Sequence, residues 1–110
     1  MNINKELLKG STVIMILTLL RRSDMYGYEM ARQIELHSEG ALTLKEGTLY
    51  PLLHTLETNG WVRAYWRESD GRNRKYYSLT DDGALQLHEK KREWHAFRTA
   101  VDRVLAGGQA

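Results

Sequence analysis

Five basic side chains crowd into one short segment of this 110-residue chain: Arg63, Arg67, Arg72, Arg74 and Lys75 lie between residues 61 and 77, opposed there only by Glu68 and Asp70. That segment carries a net +3, residues 1–60 carry −1 and residues 81–110 balance, so the formal +2 of the whole chain has one source. Cations gathered this way are the electrostatic footprint of an anionic polymer. A second group precedes them. Lys45, Gly47, Thr48, Tyr50, Pro51, His54 and Thr55 bring hydroxyls, an imidazole and an aromatic ring, groups able to hydrogen-bond phosphate oxygens and base edges.

Other chemistries lack their residues. There is no cysteine, which removes disulfides, thiolate metal sites and a cysteine nucleophile. His88 and His95 stand seven apart while His37 and His54 fall elsewhere, and no carboxylate completes the three or four ligands a zinc site wants. No Ser/His/Asp grouping, carboxylate pair or glycine-rich phosphate loop is discernible. Neither an enzyme nor a bound cofactor or metal is expected. The longest apolar stretch, Ser11 to Leu20, is shorter than the ~20 residues of a membrane span and is cut off by Arg21 and Arg22. The N-terminus shows no secretory pattern, so the expected compartment is the cytoplasm, with no membrane partner.

The elements that must position these groups follow from apolar spacing. Ile3 to Arg21 reads as a helix whose leucines, isoleucines and valine are too dense for one stripe, so it is expected to be covered from more than one direction. Tyr26 to Ser38 reads as a second helix with Met30 and Ile34 inward. Tyr26 and Tyr28 straddle Gly27 at its start, within reach of phosphates, although packing against the third helix is the better expectation for one of them. Leu44 to Asn59 is the third helix, with Leu49, Leu52, Leu53 and Leu56 turned in and Asn59-Gly60 as its stop. Pro51 is cheapest near the first turns, which places the helix start at residues 45–47. The inward leucines leave Gly47, Thr48, Tyr50, Pro51, His54 and Thr55 outward.

Trp61 to Arg67 and Asn73 to Leu79 alternate like strands about a turn at Asp70-Gly71. With those two residues central, pairing places Tyr65 opposite Tyr76 and Arg67 opposite Arg74. The second pairing is repulsive and makes sense if something negative lies between the guanidinium groups. Tyr77 is expected in the core. Thr80-Asp81-Asp82 opens a last helix running to about Leu105, with a cap and two acids in the first turn. Leu87, Trp94 and Val101 recur at seven residues with Phe97 and Val104 filling the intervening heptad position, a seam interrupted only by Lys90. A domain of this size cannot bury that seam on itself, so self-association is the economical reading.

Three helices followed by a two-stranded hairpin is the winged helix-turn-helix order, in which the third helix enters the major groove and the hairpin wing meets the backbone or minor groove. The expected fold is therefore mainly α with a small β-hairpin: residues 1–79 a winged helix-turn-helix domain, residues 80–106 a long C-terminal dimerisation helix, residues 107–110 a tail. A winged module that docks another protein is the rival reading, and the arginine cluster argues against it.

Three linked motifs carry a resemblance. Tyr26-Gly27-Tyr28-Glu29, then Gly47-Thr48-Leu49-Tyr50-Pro51 with Leu53, Leu56, Glu57 and Gly60, then Gly71-Arg72, Arg74-Lys75-Tyr76-Tyr77, Leu79-Thr80 and Gly83 resemble the PadR family of bacterial transcriptional regulators, in order from about residue 7 to 104. The resemblance implies a homodimeric repressor on a pseudo-palindromic double-stranded operator, often controlling phenolic-acid detoxification or multidrug export, in the short-tailed branch with one C-terminal dimerisation helix. It places Tyr50 and its neighbours Lys45, Gly47, Thr48, Pro51 and His54 in the recognition helix and Arg72, Arg74 and Lys75 in the wing, and Tyr26 is counted with them as a DNA contact from its place at the start of the second helix. Trp94 matches the position where some short-tailed members face a partner tryptophan across a pore that accepts flat aromatic compounds. The dimer and effector surface would comprise Leu7, Ile14, Leu87, Trp94, Phe97, Val101 and Val104. Lys45-Glu46 departs from the Ser-Pro that members commonly carry at this helix start.

Overall fold

Gly10 and Ser11 decide where the first long helix begins. The computed structural model describes Ile3, Leu8 and residues 10–107, and within it α1 spans Thr12–Arg22. The continuous helix expected from Ile3 is not formed. Ile3 is outside any helix and its N–H donates to the Ala41 carbonyl at 3.0 Å, and a turn at Gly10-Ser11 separates the helical Leu8 from α1. Glycine costs about 1 kcal/mol in a helix relative to alanine, and serine offers competing local hydrogen bonds. Here the Leu8 carbonyl accepts from the Ser11 N–H, the Ser11 hydroxyl and the Thr12 hydroxyl at 3.1, 3.2 and 2.8 Å. α1 then buries Ile16, Leu17, Leu19 and Leu20 and is packed by the second helix, the hairpin and the last helix, which accounts for its dense apolar pattern.

α2 spans Gly27–His37 and buries Met30 and Ile34. It ends where Glu39 and Gly40 adopt φ of 53° and 80°, and the Gly40 N–H returns to the Glu35 carbonyl at 2.8 Å. α3 spans Glu46–Thr58, buries Leu49, Leu53 and Leu56, and leaves Leu52 half-buried. Pro51 lies inside it on the solvent side, and the Thr55 hydroxyl donates to the Pro51 carbonyl at 3.1 Å. Gly60, at φ 77°, stops the helix while the Trp61 N–H closes on the Leu56 carbonyl at 3.0 Å.

The hairpin has the expected register. With β2 at Val62–Ser69 and β3 at Arg72–Leu79, pairing runs from Val62↔Leu79 to Ser69↔Arg72 and includes Tyr65↔Tyr76 and Arg67↔Arg74. Asp70 and Gly71 both take positive φ, 53° and 75°, the type I′ geometry that matches strand twist. A third strand is added: β1, Met25–Tyr26, pairs antiparallel with β3, so the order is β1-β3-β2 and β3 is central. Two residues are too few to show alternation in a sequence, which is why spacing alone predicts only two strands. One sheet face, with Met25, Val62, Ala64, Tyr77 and Leu79, joins the leucine core.

α4 spans Asp81–Leu105, about 37 Å at 1.5 Å per residue. Thr80 caps it by accepting from the Gly83 N–H at 3.0 Å, and its hydroxyl donates to the Gly60 carbonyl at 2.6 Å, so one side chain fastens the helix start to the end of α3. Gly83 is buried against Trp61: a Cβ there would overlap the Trp61 carbonyl oxygen. Past Leu87 the helix leaves the core and its residues from 91 onward are exposed. Among the described residues no helix is long and apolar enough to cross a membrane.

Candidate nucleic-acid interface

The three buried leucines of α3 fix which way its other side chains point. Lys45, Gly47, Thr48, Tyr50, Pro51, His54 and Thr55 are all exposed, on the solvent side of the helix. Lys45 is the extended residue before the helix, and no side chain caps the first turn. The leading backbone N–H groups therefore remain available to an anion. Glu46 is the acid in that turn.

Tyr50 is 43% exposed. Its ring lies across Gly27 at the start of α2, where an added Cβ would come within 2.7 Å of the Tyr50 hydroxyl oxygen. Partial burial, and then the Glu46 carboxylate, push the phenol's pKa above its ordinary value, so the group stays a protonated donor. Tyr77 is buried and likewise raised, chiefly by desolvation. Gly27, between Tyr26 and Tyr28, lies directly against α3 through the Tyr50 ring. Tyr28 is exposed and lines, with Tyr50 and Leu36, an open groove of about 790 Å³ between α2 and α3. Tyr26 turns to the sheet, its ring centroid 5.4 Å from that of Tyr76 in an edge contact.

The wing residues divide between the two sheet faces. Lys75 shares a face with Tyr77 and is close to α3: its Nζ is 3.4 Å from Glu57 Oε1. Arg72 and Arg74 are on the other face, with Tyr26. Arg67 and Arg74, directly opposed in the register, are each held on a different aromatic ring. The Arg67 guanidinium rests on the Tyr76 ring at 4.3 Å and that of Arg74 on the Tyr26 ring at 4.4 Å, while Arg74 Nε donates to the Ser69 carbonyl at 3.4 Å. Cation–π contact of this kind contributes about 0.5–1 kcal/mol at exposed sites. The structure thus assembles α3 and Lys75 as one surface and Tyr26, Arg72 and Arg74 as another. Trp66, directly opposite Lys75 and 64% exposed, extends the first of these. Sequence reasoning passed over it, although alternation from Val62 would have placed it on that side.

The residues assigned to a dimer and effector surface also separate. Leu87 is fully buried in the chain's own core at the foot of α4, so it is not free to face a second molecule. Ile14 is half-buried and lines a shallow depression of about 340 Å³ between α1 and α2, together with Leu19, Ile34 and His37. Leu7 lies outside the described residues. Trp94, 38% exposed, and Phe97, 63% exposed, have ring centroids 6.4 Å apart and run on into exposed Val101 and Val104. Lys90, which interrupts the seam, folds back over the Trp61 ring at 5.4 Å. Among the described residues no three His, Asp or Glu side chains gather as a metal site.

Comparison with known proteins bears on the family and the fold. The family described as Transcriptional regulator PadR-like matches residues 16–89. An uncharacterised protein of Lysinibacillus sphaericus is 32% identical over 106 residues, 96% of this chain and 97% of that one. A transcriptional regulator from Clostridium thermocellum has a solved structure matching at TM-score 0.84 and 30% identity, over 90% of this chain and 97% of that chain. A PadR family transcriptional regulator from Eggerthella lenta matches at TM-score 0.80 and 33% identity, over 91% and 86% respectively.

Proposed function

The chain belongs to the PadR-like family of transcriptional regulators, and on that premise we propose that it is a homodimeric repressor of double-stranded DNA, released by a small planar aromatic effector. The observation that carries the reading is the sorting of α3. Its leucines fill the core, while Lys45, Thr48, Tyr50 and His54 stand exposed on its solvent side beside an arginine-bearing hairpin. In a winged helix-turn-helix this is the helix that enters the major groove. Thr48, Tyr50 and His54 offer hydroxyl and imidazole groups to base edges and phosphates, Gly47 and Pro51 let the backbone approach closely, and Lys45 with the uncapped N–H groups receives a phosphate. Arg72, Arg74, Lys75 and Tyr26 hold the backbone on either side of the wing.

Dimerisation is supported by α4. Trp94, Phe97, Val101 and Val104 leave an apolar stripe in water, with heptad spacing suited to a second copy. Two chains joined there would present two α3 helices to half-sites of a pseudo-palindrome about one turn of DNA apart, ~34 Å. A flat aromatic molecule between the two Trp94 rings would alter the angle between protomers, so that both helices no longer fit successive grooves. Such a switch needs differential affinity for the two dimer states, typically ~1–3 kcal/mol.

The test is a mobility-shift titration of the purified chain on its own upstream region at two salt concentrations, with its mass in solution measured in parallel. A dimer that binds specifically, weakens steeply with salt and is released by a planar aromatic compound is the expected result. A monomer at micromolar concentration that ignores DNA at both salts refutes the proposal.

A further inference from the structure

Register puts all four arginines of the hairpin on one side of the sheet. Arg63 pairs with Ser78, Arg67 with Arg74, and Arg72 with Ser69, so these side chains alternate away from the core face and share the outer one with Tyr26, Tyr65 and Tyr76. The tyrosines form a platform: Tyr65 stacks on Tyr76 at 5.9 Å and Tyr26 meets Tyr76 edge-on. Arg67 and Arg74 lie flat on it. The ion pairs among the described residues are Lys75–Glu57 and Arg92–Glu89, so no carboxylate neutralises any of the four arginines there. Asp24, at the edge, accepts the Tyr65 hydroxyl hydrogen bond at 2.5 Å. Directly opposed like charges cost stability, and here the fold positions them rather than dispersing them.

We propose that this outer face is a second DNA-binding surface, which takes the phosphate backbone of the duplex flanking the operator half-site. It rests on the DNA-binding reading above and extends it from the wing tip to the root of the hairpin. The chemistry favours a polyanion over a protein. A protein interface is anchored by buried apolar side chains at its centre, and the exposed large apolar residues lie elsewhere, Trp66 on the opposite sheet face and the rest on the helices or at Ile3. A single strand would need open ring faces for its bases, whereas Tyr76 is buried and two of the rings are covered by guanidinium groups. A guanidinium held on a ring still offers its N–H edge to phosphate oxygens. Rows on one face of a strand recur every two residues, about 6.7 Å, so the line from Arg72 to Arg63 is about 20 Å long and can follow several phosphates.

The experiment compares a duplex ending at the operator with one extended by flanking sequence on both sides, titrated with the wild-type chain and with Arg63→Ala/Arg67→Ala at several salt concentrations. The wild type should bind the extended duplex more tightly and with a steeper salt dependence. The double variant should bind both duplexes alike, with the slope on the extended one lower by about 0.9 for each phosphate no longer neutralised, up to about 1.8 per protomer. Two further variants keep the test readable if removing Arg67 from the Tyr76 ring disturbs the sheet. Arg63→Ala alone, at an exposed position, should give part of the effect, and Arg67→Lys, which keeps the charge, should restore most of the binding. An extended duplex that gains nothing for the wild type, or a gain that survives the double variant, overturns the proposal while leaving operator binding intact. Failure of the wild type to bind either duplex overturns both readings together.

Discussion

Gly27→Ala should damage DNA binding without damaging the fold, because it touches the recognition helix through a single ring. Gly27 is the first residue of α2 and its φ is not positive, so alanine is compatible with the backbone there and favours the helix. The new Cβ would lie 2.7 Å from the Tyr50 hydroxyl oxygen and 2.8 Å from Cε1 and Cζ. Ordinary carbon contact is about 3.5–4.0 Å, so the ring end must swing aside by about 1 Å. A hydrogen bond to DNA does not tolerate such a shift, and the net worth of one is about 0.5–1.5 kcal/mol, which corresponds to roughly a 2- to 13-fold weaker Kd. The assay is operator affinity alongside thermal unfolding, repeated in a Tyr50→Leu background. Leucine lacks the atoms that the Cβ meets, so Gly27→Ala should be silent there; interacting sites give such non-additivity. An operator Kd within twofold of wild type at unchanged Tm, or equal weakening in both backgrounds, refutes the role given to Tyr50.

Gly83→Ala should act on the fold instead, since its Cβ would collide with the Trp61 backbone carbonyl and lie 2.6 Å from Leu79 Cδ1. Overpacking against backbone costs about 1–3 kcal/mol or more, so reversible urea unfolding should show a loss of at least ~2 kcal/mol; a stability equal to wild type would mean that α4 does not dock on the hairpin root as described. Replacing Arg72, Arg74 and Lys75 together by alanine should weaken binding to all DNA sequences and flatten the salt slope by about 0.9 for each phosphate left without its cation. An unaltered slope would show that the wing meets no phosphates. Trp94→Ala should weaken binding of planar aromatic compounds, measured by fluorescence or calorimetry, while the fold of the single chain, read from its secondary structure and thermal unfolding, persists; unchanged aromatic affinity would remove the effector from this surface.

What the order of residues determined by itself was whatever depends on near neighbours. The inward leucines of α3, the glycine stop at Gly60, the Thr80 cap and the hairpin register through Asp70-Gly71 each follow from spacing or turn chemistry within a few residues, and each is present in the structure. The outward set on α3 was legible for the same reason, because a helix with a known inside has a known outside. Tertiary structure decided the rest. Met25 and Tyr26 become a strand only because β3, about fifty residues away in the chain, offers its free edge, and that pairing carries Tyr26 to the outer face beside Arg74. Lys75 meets Glu57 because the sheet folds back on α3. Leu87 and Trp94 have the same heptad position, yet one is fully buried and the other 38% exposed, since the core ends between them. Periodicity reports which residues share a face; burial depends on what distant segment arrives to cover it, and that is a property of the packed chain.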